Sequence, residues 1–214
     1  KVKEILRSKG KRIIMNIIRG SIVALITPFK EDGSINFDKL GELIEWHIAK
    51  KTDAILILGT TSESPTMSHE EDNEICKFTV DLVNKRVPVI ASSGSNCTQT
   101  VIEKSLSFQS LGADALLTIT PYYNKANTEG MYHHFADVAD IVDIPMILYN
   151  VPGRTGCGIS VDVLERLAVH PKIIGIKEAS GDMSYMAKIA RLANDNFAIY
   201  SGNDDIIVPI LSMG

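Results

Sequence analysis

Cysteine is scarce in this 214-residue chain, and long apolar runs are missing. Cys76, Cys97 and Cys157 are odd in number, widely spaced and without a CxxC pair. That pattern excludes a disulfide framework or a zinc knuckle and leaves reduced, packing thiols. No stretch is apolar for long enough to span a bilayer, and the amino end lacks the apolar core of a secretory signal. The expectation is therefore a cytoplasmic protein with no membrane partner. Phosphate- and nucleotide-binding signatures are also missing: there is no GxGxxG after the first strand-like run and no GxxxxGK[ST]. Neither HExxH nor a GxSxG elbow occurs. His133 and His134 are adjacent in a helical segment and point about 100° apart, so one metal ion would not take both. His69-Glu70 has no second histidine at the metalloprotease spacing, and no metal site is expected.

What is present is ordinary globular material. Hydrophobic residues make up 45% and charged residues 22%, enough for one sizeable core. A net charge of −4 offers nucleic acid no purchase, but the charge is uneven. Residues 1–14 hold six Lys/Arg against one Glu, a charge of +5, and residues 15–214 carry the remaining −9. Residues 1–14 read as a basic, solvated tail or an expression remnant, with Met15 the candidate natural start. Residues 15–214 read as one domain.

Within that domain, short β-branched runs alternate with amphipathic stretches. The strand candidates are Ile22–Thr27, Ala54–Leu58, Val87–Ala91, Ala115–Ile119, Met146–Tyr149, Ile173–Lys177 and Phe197–Ser201. They are apolar throughout rather than alternating, as strands buried on both faces should be. Leu40, Leu43, Ile44 and Ile48 recur at helical spacing, as do Ile75, Phe78 and Leu82 behind a Ser68–Glu71 capping box. Val163, Leu164 and Leu167 follow a Ser160 cap, and Ile189 and Leu192 follow Asp182. Strand starts recur about every 25–33 residues, the length of a strand plus a crossover helix. Seven such α/β units without a cofactor fingerprint favour a TIM-type barrel over an open doubly wound sheet, although periodicity alone leaves both open.

In a barrel, chemistry belongs just after the carboxyl ends of the strands. There the sequence places Gly59-Thr60-Thr61-Ser62-Glu63, Thr120-Pro121-Tyr122-Tyr123-Asn124, Tyr149-Asn150-Val151-Pro152-Gly153-Arg154-Thr155-Gly156, Lys177-Glu178-Ala179-Ser180-Gly181 and Ser201-Gly202-Asn203-Asp204. A lysine ending an apolar strand is desolvated, which favours the neutral amine that attacks carbonyls. The bland alternative for Lys177 is an ammonium that reaches solvent or meets a carboxylate. Tyr149 is a candidate general acid/base, or else an aromatic that caps the core. Arg154 carries the planar fork suited to a carboxylate, but surface arginines do so too.

Taken together, GTTSES, TPYYN, YNVPGRTG and GIKEASGD, in that order and one unit apart, resemble the dihydrodipicolinate synthase/N-acetylneuraminate lyase family from about Gly20 to Gly214. The resemblance implies a (β/α)8 TIM barrel, of which this chain holds about seven of eight units, stopping before the eighth strand. It implies that Lys177 forms a Schiff base with pyruvate, without a cofactor, and that Tyr149 is the general acid/base. Thr60 and Tyr123 match the proton relay, with Tyr123 contributed across a dimer interface in a homotetramer, a dimer of dimers. Thr61 matches the pyruvate-carboxylate site, Arg154 the group that meets the second substrate's carboxylate, and Gly202 a backbone-lined part of the mouth. A sialic acid lyase would lack that arginine and carry Ser in place of Thr60, so the implied second substrate is L-aspartate-4-semialdehyde, in the route to diaminopimelate and lysine.

Departures from the family pattern set further expectations. Ser62 replaces a glycine, which raises the question of strain if the backbone there needs positive φ. Lysine-inhibited members bind lysine near the TPYYN tyrosines. His69, Asn96 and Tyr122 match that site, but Asp72 replaces a second histidine and Thr100 a glutamate. Feedback by lysine should be weak or absent: Asp72 could restore part of the charge, but from a different position. Two alternatives accompany this reading: a pyruvate aldolase for a 2-keto-3-deoxy sugar acid or sialic acid, and a catalytically silent, truncated barrel acting as a binding subunit.

Overall fold

A computed structural model describes residues 17–213; the basic tail expected at residues 1–14 lies outside them. Seven strands form one sheet in sequential order, with every neighbouring pair parallel. They are β1 (Ile22–Ala24), β2 (Ala54–Ile57), β3 (Val89–Ser92), β4 (Ala115–Ile119), β5 (Met146–Asn150), β6 (Ile173–Glu178) and β7 (Ala198–Ser201). Between them run α1 (Phe37–Ala49), α2 (His69–Val83), α3 (Thr98–Ser110), α4 (Thr128–Ile141), α5 (Pro152–Thr155), α6 (Val161–Ala168) and α7 (Met183–Ile189), and α8 (Ile207–Leu211) follows β7. This is the curled sheet of a TIM barrel, open between β1 and β7.

Side chains alternate across the sheet, which explains why the strands are apolar on both faces. Leu148 and Ile176 point outward into the main core with Phe108, Phe135 and Leu164 from the helices. Leu56, Ile90, Leu117, Ile147 and Tyr149 point inward and form a second cluster inside the curl. The expected capping box is present: Ser68 Oγ accepts from Glu71 N at 3.2 Å, and Glu71 Oε2 accepts from Ser68 N at 2.8 Å.

Two strands differ by more than one residue from their sequence-based bounds, for local reasons; β2, β5, β6 and β7 differ by a single residue and β4 not at all. β3 begins at Val89 rather than Val87 because Pro88 has no N–H for the ladder; its carbonyl still accepts from Ile55 N at 3.0 Å. β1 ends at Ala24 rather than Thr27. Leu25 N still reaches Leu56 O, but the Leu25 carbonyl is taken by the Ser62 hydroxyl at 2.5 Å.

Behind β4, His134 on α4 is 3% exposed and shares a 2.9 Å hydrogen bond with Thr98 on α3. Burial pushes its pKa down to about 4 from 6.5. The unfolded chain therefore binds the extra proton more readily between those values. Stability should be complete above about pH 6.5 and fall as pH drops toward 4, by on the order of 3 kcal/mol at most from this group. Urea midpoints measured from pH 7 to 4.5 should show that fall, and a His134→Asn variant should show a flatter profile.

Candidate active site

Lys177 is the penultimate residue of β6 and sits between Tyr149 of β5 and Tyr200 of β7 in the sheet register. Its ammonium nitrogen lies 4.7 Å from the centroid of the Tyr149 ring. Two glycines make that position possible. A Cβ on Gly175 would come within 2.4 Å of the Ala198 carbonyl oxygen, and one on Gly202 within 2.7 Å of Ala179 Cβ and 3.2 Å of Lys177 Cε. Glycine at both sites lets β6 and β7 close around the lysine stem.

Desolvation is the main influence on Lys177 and holds its pKa below the ordinary lysine value, while the Asp204 carboxylate pulls the other way. Among the described residues no carboxylate lies within salt-bridge distance of Lys177. A larger share of neutral amine follows, as carbonyl attack requires. Burial likewise raises the Tyr149 phenol, and Arg154 and Thr60, both close enough to act on it, partly oppose that rise. Lys177, Tyr149, Thr60 and Arg154 are thus brought together from three segments of the sequence. The open interior beside Lys177 is a cleft of about 600 Å³ between β1 and β7, lined also by Leu56, Ile147, Tyr200 and Asp204.

The loop after β2 delivers Thr60 and Thr61 in a tight helical turn, Thr60–Ser62. The concern over Ser62 is not realised: positive φ falls on Leu58 and Glu63, at 60° each, and not on Ser62. Ser62 is 2% exposed, and its hydroxyl ties the loop to β1. Ser64 continues the anchoring, donating to Asp72 Oδ1 at 3.0 Å, and Lys104 Nζ lies 2.8 Å from Asp72 Oδ2. Asp72 is 1% exposed and already paired, so the idea that it offers spare negative charge to a ligand is corrected.

Tyr123 is not brought to this cluster. It is 89% exposed on the loop after β4, with φ of 71°. Gly202 donates from its backbone N–H to the Glu178 carbonyl at 2.7 Å, which seats the β7 turn beside Lys177. Sequence reasoning left Asp204 and Tyr200 without a role. Asp204 acts on the Lys177 charge, and the Tyr200 hydroxyl donates to the Ile18 carbonyl at 2.7 Å, bridging β7 to the segment before β1. Only the register of β7 against β6 brings these two to the site, and that is not written in any local motif. Among the described residues no group of His, Cys, Asp and Glu is arranged to hold a metal ion, and no helix is long and apolar enough to cross a membrane.

A desolvated lysine at the carboxyl end of a parallel barrel strand, with a phenol against it, is the arrangement of an imine-forming class I lyase. Residues 17–214 match the model of the dihydrodipicolinate synthetase family, and the chain belongs to that family. A curated relative from Clostridium perfringens, 4-hydroxy-tetrahydrodipicolinate synthase, is 55% identical over 198 residues, 92% of this chain and 68% of the relative. The crystal structure of a Bacillus anthracis dihydrodipicolinate synthase superposes with a TM-score of 0.91 at 42% identity, covering 94% of this chain and 68% of that one. The chloride-inhibited Acinetobacter baumannii enzyme, solved with pyruvate, gives 0.89 at 45% identity, covering 92% and 68%.

Proposed function

We propose that Lys177 condenses with pyruvate and that the resulting enamine adds to L-aspartate-4-semialdehyde, giving 4-hydroxy-tetrahydrodipicolinate. The observation that carries this reading is the desolvated Lys177 amine stacked at 4.7 Å over Tyr149 inside the barrel. The neutral amine attacks the keto carbon, and water leaves as the imine forms. The imine then withdraws electrons as a methyl proton departs, so no metal or organic cofactor is needed. Tyr149 is the acid that gives the carbinolamine oxygen its proton and the base that can recover one. Thr60 holds the phenol, Thr61 offers its hydroxyl and backbone N–H to the pyruvate carboxylate, and the backbone at Gly202 lines the mouth. Arg154, exposed at the rim near Tyr149, is placed to meet the carboxylate of the incoming semialdehyde.

Tyr123 completes the relay only from another copy. Its full exposure here fits a homo-oligomer in which each chain lends this tyrosine to a neighbour, a dimer of dimers in the larger assembly. A cytoplasmic location belongs to the same reading. The deciding assay offers pyruvate with either aspartate-semialdehyde or the aldehyde of a 2-keto-3-deoxy sugar acid. Turnover is expected with the first alone; preference for a sugar aldehyde, or for neither, would reject the assignment.

Feedback is the next expectation. With Asp72 paired to Lys104 and Thr100 in place of a carboxylate, neither position offers an unpaired carboxylate to an added ammonium group. Loss of a charge-assisted hydrogen bond weakens binding by roughly ten- to hundredfold. Condensation rates should therefore be unchanged across micromolar L-lysine; inhibition in that range would contradict the reading.

A further inference from the structure

Asn150 and Glu178 directly follow Tyr149 and Lys177 and are themselves partners in the β5–β6 register. Alternation turns their side chains to the opposite face of the sheet from the reacting pair. Both are buried, at 2% and 1% exposure. Asn150 Nδ2 donates to Glu178 Oε2 at 2.6 Å, and Ser180 N donates to Glu178 Oε1 at 2.5 Å. The Asn150 Oδ1 atom accepts from Ile159 N at 3.0 Å, beyond the loop that carries Arg154. Backbone bonds extend the cluster: Ala179 N donates to Asn150 O at 2.9 Å, and Gly202 N to Glu178 O at 2.7 Å.

A carboxylate buried this deeply is costly, and among the described residues no cation lies within salt-bridge distance of it. Apolar side chains would fill the same space at lower desolvation cost. What apolar residues could not do is connect four segments at fixed geometry. We propose that Asn150 and Glu178 are positioning residues: a polar clamp that locks the ends of β5 and β6 so that Tyr149 stays against Lys177, and that seats the Arg154 loop and the Gly202 turn. This rests on the imine-forming role proposed for Lys177, because the clamp matters to catalysis only through that pair.

Hydrogen-bond polarity supplies the test. Glu178→Gln is isosteric but offers one acceptor where two donors converge. Asn150→Asp sets a carboxylate oxygen against the Glu178 carboxylate. In the double variant, N150D with E178Q, the direction of the shared bond reverses: the new amide donates to the new carboxylate, while Ile159 N and Ser180 N each keep an acceptor. Two readouts follow for wild type, each single variant and the double. The first is the pH dependence of Lys177 acylation by a small amine reagent, mapped by mass spectrometry. The second is kcat against KM for pyruvate.

Each single change should move the Lys177 titration upward toward that of an ordinary lysine, as water enters beside it. Each should cut kcat by roughly ten- to hundredfold with little change in KM, the pattern of misplacement rather than lost binding. The double variant should recover both to within about threefold of wild type, a coupling that simple loss of stability would not give. Single variants with unchanged Lys177 titration, or a double no better than the worse single, would overturn the proposal. If the singles fail to fold, recovery of fold and titration in the double supports the clamp, and failure of the double rejects it. Acylation needs no pyruvate, so a wild type that forms no imine would refute the catalytic reading while the clamp is still judged by titration.

Discussion

Lys177→Met should lose pyruvate condensation by roughly 10⁴-fold or more, as expected when an obligatory nucleophile is removed, and should fold more stably than the wild type. The two effects have one cause. Burial lowers the lysine's pKa, so the unfolded chain holds the proton more tightly than the folded one. The sign follows: below the folded pKa the cost of keeping a desolvated ammonium is fully present, and it fades as pH rises toward the unfolded lysine value. Methionine fills a similar volume without charge. A gain of about 1 kcal/mol, or roughly 2–4 °C in Tm for a chain of this size, is the expected scale near neutral pH. The gain should shrink as the scan is moved to alkaline pH. Loss of stability in Lys177→Met would mean that the ammonium is well solvated or well paired, contrary to the surroundings described above.

Tyr149→Phe should lower kcat by about 10²-fold or more, the range for a lost general acid/base. Pyruvate should still reach Lys177, so imine trapping slows without changing its target. The wild-type pH profile carries a second mark. Burial raises the phenol above the ordinary tyrosine value despite the opposing influence of Arg154 and Thr60. Tyr149 thus stays protonated, and able to donate, through neutral and mildly alkaline pH. An alkaline limb due to its ionisation should appear only beyond the normal tyrosine range and be missing from the phenylalanine variant. Unchanged kcat in Tyr149→Phe would remove Tyr149 from proton transfer. Phenylalanine keeps the aromatic surface packed on Lys177, so steric loss does not confuse the result.

Much of this arrangement could be read from the chain. The strands are short, apolar and regularly spaced, and the residues closing β2, β5 and β6 are polar in ways that core packing does not explain. Lys177 and Tyr149 were legible because each closes an apolar run, and each is the penultimate residue of its strand. That they are neighbours in register was not, since register depends on a bulge between Met146 and Ile147 that no local signal marks. Helix α3 escaped the periodicity reading for a compositional reason. In Thr98–Ser110 the buried positions are Val101, Ser105 and Phe108, and a serine interrupts the apolar stripe because its hydroxyl is needed by Ser93 at 2.8 Å. Asp72 misled in the opposite direction: as a sequence position it looked like free charge, but it is consumed by Lys104, 32 residues away. The Ser62 concern failed because the loop transfers its left-handed residues to Leu58 and Glu63. Pairings of this kind depend on three-dimensional closure, which local residue types constrain only loosely.

The central claim is that Lys177 forms the pyruvate imine, and borohydride trapping tests it most directly. Protein incubated with pyruvate and reduced should carry one pyruvate-derived group per chain. Because trypsin does not cleave at a modified lysine, the label should appear in the uncut peptide of residues 173–188, with Lys177 as the modified residue. Lys177→Met should take up none. Label on another lysine, or none on a folded wild-type chain, would contradict the account.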